Sequence, residues 1–123
     1  LAGFALLAGA PQPAAAASFA GNWYVRGQLY YGRFFGQVNP VCTFRQSGSA
    51  ISGECRGPNA VGPVSGSVNG NRILWQWRTT ATTPIGTTGV ITFHGTAAGN
   101  EIQGTWTTSA APGGVGTFKQ TRS

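Results

Sequence analysis

VCTFRQSGSAISGECR, residues Val41 to Arg56, fixes its own geometry. With Gly48 and Ser49 at the centre of a two-residue, glycine-first turn, the arms pair Ser47 with Ala50 and Cys42 with Cys55. Pairs alternate in type outward from the turn, so Cys42 and Cys55 meet at a non-hydrogen-bonded position, where Cα atoms are about 4.5 Å apart. That separation lies at the short end of what a disulfide spans. One face of the hairpin then carries Cys42, Phe44, Ile51 and Cys55, and the other carries Thr43, Arg45, Ser52 and Glu54. The pattern predicts an antiparallel strand pair with one dry side and one wet side.

Two further hairpins follow from the same logic. One is expected around Asn69-Gly70, setting Val68 against Asn71, Gly66 against Ile73, Val64 against Trp75 and Gly62 against Trp77. The other is expected around Gly99-Asn100, setting Ala97 against Ile102, Gly95 against Gly104, Phe93 against Trp106 and Ile91 against Thr108. Phe19, Gly21, Trp23 and Val25 alternate with polar or small neighbours in a first strand, and Gly116, Phe118 and Gln120 do so in a closing one. Residues 27–40 keep no clean alternation and read either as strand extensions or as a long loop. Twenty glycines, 8% charged residues and no methionine suit tight turns and closely spaced strands.

The fold expected is all-β: an eight-stranded antiparallel up-and-down barrel, closed by pairing the first strand with the last, with one disulfide inside a hairpin. A β-sandwich is the alternative. All four tryptophans, Trp23, Trp75, Trp77 and Trp106, fall on the inward set with Phe44, Phe93 and Phe118. An eight-stranded barrel is just wide enough to be filled by side chains or to hold one small ligand, and both readings stay open at this point.

Residues 1–17 read as the back half of a cleaved secretory signal peptide: an apolar run, Leu1 to Ala10, then a Pro- and Ala-rich tract ending in an A-x-A pattern before Ser18. The run is too short to span a bilayer. Residues 18–123 are then a single domain, and a secreted or periplasmic address agrees with a Cys42–Cys55 disulfide. On the chain-entropy estimate that link contributes about 3 kcal/mol.

Gly21-Asn22-Trp23, the meander of short strands, and Glu101-Ile-Gln-Gly-Thr-Trp106 followed by Gly116-Thr-Phe-Lys119 resemble the calycin barrels, avidin and streptavidin more than the lipocalins. The resemblance implies a pocket at the open end, lined by Trp75, Trp77 and Trp106 with Thr108 as a polar neighbour. Avidins set an aspartate against the ureido ring of biotin and this chain has none, so biotin is not the expected ligand. Bacterial periplasmic protease inhibitors built on a calycin-like barrel with one disulfide are a second resemblance.

In a meander the tight turns gather at one end and the longer connections at the other, which is where binding residues belong. Tyr30, Tyr31, Arg33, Phe34 and Phe35 are expected to fold over that mouth. Seven arginines and one lysine against Glu54 and Glu101 give a net charge of +6, and Arg26, Arg33, Arg56 and Arg78 map near the long-loop end. This charge favours anionic partners. The expected partner is a small, partly apolar ligand or, alternatively, an extracytoplasmic protein or glycan met by the loops. An exported address argues against nucleic acid, and polar outward positions such as Arg45, Arg72 and Gln103 argue against a lipid-facing barrel. One histidine, two distant glutamates and no aspartate leave no catalytic set, two paired cysteines leave no zinc site, and no cofactor is expected.

Overall fold

Four hairpins share one turn. Gly32-Arg33, Gly48-Ser49, Gly70-Asn71 and Gly99-Asn100 each join strands whose flanking residues pair directly. The leading glycine of each has φ between 60° and 64°, and among the described residues no other residue type has a positive φ. One positive φ at the first central position marks the type II′ turn, whose twist matches that of the strands it joins.

The computed structural model describes residues 18–123, so the signal-peptide expectation for 1–17 lies outside the described residues. The strands are β1 (Gly21–Tyr31), β2 (Phe34–Val38), β3 (Val41–Ser47), β4 (Ala50–Arg56), β5 (Ala60–Asn69), β6 (Arg72–Ala81), β7 (Gly89–Ala98), β8 (Glu101–Thr108) and β9 (Gly116–Arg122). Each of β3 to β8 pairs antiparallel with the next, β1 pairs with β2 and β3, and β1 also pairs with β9. The sheet is therefore a closed barrel, not a sandwich.

Nine strands fill eight positions because β2 and β3 are one strand with an interruption. The pairings Tyr31↔Phe34, Gly27↔Val38 and Tyr24↔Val41 keep one register across it. Pro40 has no N–H to donate, yet its carbonyl still accepts from Val25 N at 3.0 Å. The ambiguous residues 27–40 thus form a long hairpin whose tip rises past the barrel rim.

The first and third expected hairpins pair as the sequence predicts, Cys42 opposite Cys55 and Phe93 opposite Trp106. The second does not. Its turn is Gly70-Asn71, and the observed pairs are Asn69↔Arg72, Gly66↔Trp75 and Val64↔Trp77, two residues away from the expected register. A turn centred on Asn69-Gly70 would have required a positive φ at Asn69 as well; the glycine-first turn needs only Gly70. A two-residue slip leaves every side chain on its expected face.

The interior is filled. Trp75 stacks on Phe93 with ring centroids 3.9 Å apart, Phe44 meets Trp75 edge-on at 5.0 Å, and Phe118 meets Phe93 edge-on at 5.1 Å. At the tight-turn end Phe19 is buried beneath this stack, its N–H donating to Gln46 Oε1 and its carbonyl accepting from Trp23 Nε1 at 2.8 Å. Arg122 lies over the Trp23 ring at 4.2 Å and donates to the carbonyls of Ser18 and Ala20. The barrel is a cup with a sealed base.

Candidate functional site

Above the aromatic stack, at the other end, the barrel opens into a cleft of about 370 Å³. Trp77 from β6 and Trp106 from β8 form its floor, with Ile91 of the intervening β7 and Thr108 beside them. Each indole is accommodated by a glycine on the facing wall. A Cβ at Gly57 would stand 3.3 Å from Cη2 of Trp77, and one at Gly36 would stand 3.6 Å from Cη2 of Trp106. Trp106 Nε1 donates to the carbonyl of Thr117 at 3.0 Å, whereas Trp77 Nε1 is buried without a protein partner.

The rim is held by the threonines that the composition supplies so freely. Thr79 Oγ1 accepts from Gly89 N at 3.0 Å and donates to Thr87 O at 2.7 Å, closing the neck of the β6–β7 loop. That loop is tied to the β4–β5 loop, Thr83 Oγ1 donating to Asn59 Oδ1 at 2.9 Å and Thr82 N to Asn59 O at 2.8 Å. On the β8–β9 side, Thr108 Oγ1 accepts from Ala110 N at 3.2 Å and Ser109 Oγ from Val90 N at 3.1 Å. Such bonds fix loop shape without a ligand present, which lowers the ordering cost of binding.

The expected site residues divide into three groups. Trp77, Trp106, Thr108 and Phe34 line the cleft. Trp75 does not; it is fully buried within the stack below, where Phe93 and Phe44 cover its ring. Tyr30, Tyr31 and Arg33 stand on the projecting hairpin outside the lining, with Tyr30 on the outer face packed against Phe35 at 4.9 Å and Tyr31 beside Gly113 and Gly114. Sequence reasoning missed Asn59, Ile85 and the β2 residues Gly36 to Val38 as lining. Recognising 27–40 as a hairpin would have placed the last three.

Among the described residues no charged side chain lines the cleft. Arg26, Arg33, Arg56 and Arg78 are exposed around its outside, so any attraction of an anion acts from the rim. His94 is exposed on the outer wall, Glu54 lies on β4 towards the mouth, and Glu101 lies beyond the far turn with Lys119 3.9 Å away. No group of three histidine, cysteine or acidic residues is placed to hold a metal among the described residues. No helix there is long and apolar enough to cross a membrane. No family model matches the chain, and no curated protein is similar to it.

Proposed function

We propose that the protein is a secreted or periplasmic, non-enzymatic binding barrel that receives a small, partly apolar ligand in the mouth above Trp77 and Trp106. The observation that carries this reading is the contrast between the two ends. One is plugged by Phe19 and clamped by Arg122, while the other keeps a cleft of about 370 Å³ inside a rim already tied by hydrogen bonds. That volume is in the range of small-molecule sites, and its mix of indole and aliphatic walls with a few threonine and asparagine groups is typical of them. The net charge of +6 draws anionic ligands toward the mouth without a contact inside it. The calycin resemblance agrees with a ligand at the open end, and the disulfide is compatible with an address outside the cytoplasm.

A protein- or glycan-facing role has its own support: Tyr30, Tyr31 and Phe35 on the projecting hairpin are 70%, 51% and 49% exposed.

Titration with the anionic amphiphile 1-anilinonaphthalene-8-sulfonate tests the mouth. Saturable one-to-one binding is expected, weakened at least tenfold by Gly36→Val, whose side chain would project over Trp106 and displace only the exposed ring of Phe34. Trp77→Ala, with the fold checked by circular dichroism, is expected to do the same. Equal affinity in both variants would remove the cleft as the site.

A further inference from the structure

The mouth has one wall made of backbone. Among the described residues β2 pairs with β1 and with no other strand. Its hydrogen-bonding sense follows from the bond from Val25 N to Pro40 O. Paired positions alternate along the shared register, so Gly27/Val38, Leu29/Gly36 and Tyr31/Phe34 exchange hydrogen bonds, and the N–H and C=O of Phe35 and Gln37 turn away from β1. They face the gap that β4 would fill if it continued. Instead β4 ends at Arg56, and a turn from Gly57 N to Ala60 O carries the chain off into β5. The gap is the cleft itself, with Phe34 to Asn39 on one side, Gly57 to Ala60 and the β6–β7 loop on the other, and the two indoles below.

We infer that this gap accepts an extended peptide segment of another protein as an added strand on β2. An open edge of donors and acceptors is a template for strand addition. Gly36 lets the ring of Phe34 lie across the inner face of β2 above Trp106, and an inward side chain of the added strand packs against that ring and the indole floor. Side chains of an extended peptide alternate, so every second residue would face the indoles and should be Val, Leu or Ile. Arg33 at the hairpin tip and Arg56 at the end of β4 stand at the two ends of the gap, with Glu54 the nearby carboxylate on the outer face. This favours acidic residues flanking the apolar ones. The tie between the β4–β5 and β6–β7 loops fixes the wall opposite β2, and a cleft of about 370 Å³ has room for a few residues of one extended segment, which sets a peptide above a second folded copy.

The inference rests on the mouth being a binding site and names the class of ligand. The probe is a library of capped heptapeptides with Val, Leu or Ile at the third and fifth positions, Glu at the second and sixth, and Ser or Thr elsewhere. Recovered peptides are expected to bind one-to-one and to protect the Phe35 and Gln37 amides from hydrogen exchange. Affinity should fall at least tenfold on alternate N-methylation of the peptide. The decisive variant is Gln37→Pro, which removes an outward N–H that β1 does not use and so spares the barrel. It is expected to abolish peptide binding while the circular dichroism and urea midpoint stay those of the parent; Gln37→Ala, which keeps the N–H, is expected to restore peptide capture. If the sulfonate binds but no peptide does, or if Gln37→Pro leaves peptide affinity unchanged, the strand-addition proposal is overturned and the mouth reading stands. If neither probe binds, both fall. A concentration-dependent dimer abolished by Gln37→Pro would give the edge to a second copy of the chain and overturn the peptide assignment.

Discussion

Replacing Gln120 with leucine is expected to stabilise the protein. Gln120 sits on the inner face of β9, paired with Val25 of β1 and Ile102 of β8, and none of the three is more than 1% exposed. Neither its Oε1 nor its Nε2 has a protein partner. A buried donor or acceptor left unmatched costs about 1–3 kcal/mol, which Gln120→Leu removes. Leucine is of similar volume but branches earlier, and a volume-conserving core swap costs less than about 1.5 kcal/mol. The net expectation is a gain of about 1–2 kcal/mol, or a rise in Tm of roughly 5–15 °C for a domain of this size. The assay is urea unfolding followed by tryptophan fluorescence with the disulfide intact, together with a thermal scan. An unchanged m-value would show that the gain belongs to the native state. A loss of more than about 1 kcal/mol would refute the reasoning, since it would mean that the amide is matched within the folded barrel.

Two further outcomes follow from the disulfide and from the rim. Cys42→Ser with Cys55→Ser should lower stability by about 3 kcal/mol, visible as a fall in the urea midpoint that reduction of the parent protein reproduces; coincident midpoints would show that the link does not constrain the unfolded chain. Thr79→Val leaves Gly89 N–H and Thr87 C=O without the hydroxyl that serves both, at a cost of about 1–3 kcal/mol, and should speed hydrogen exchange at Gly89. Exchange as slow as in the parent would mean that the loop neck is held by something other than Thr79.

The barrel was legible because period-two alternation and glycine-led turns are local signals, and Cys42 opposite Cys55 checks one of them independently. Residues 27–40 resisted reading because β1 runs through the rim, so Tyr30 and Tyr31 are exposed on both faces and alternation fails where there is no interior to point into. Asn69-Gly70 misled because two overlapping dipeptides compete there; Gly70-Asn71 repeats the choice made at Gly99-Asn100, and that repetition was itself present in the sequence. The division between Trp75 and Trp77 depends on depth along the barrel axis. Inward and outward positions are encoded by parity, but depth is set by the stagger of strands around the closed sheet.

The clamp that Arg122 places on the carbonyls of Ser18 and Ala20 has an orientational consequence. It brings the start of the described chain and its last strand together on the side of the barrel that faces away from the cleft, with Ser123 N bonded to Asn22 O at 3.1 Å. Whatever is joined to the chain at Ser123 starts from behind the cup. A surface, a fused domain or an affinity handle attached there would hold the molecule by its foot and present the mouth, the projecting hairpin and the open β2 edge to whatever passes in front of it.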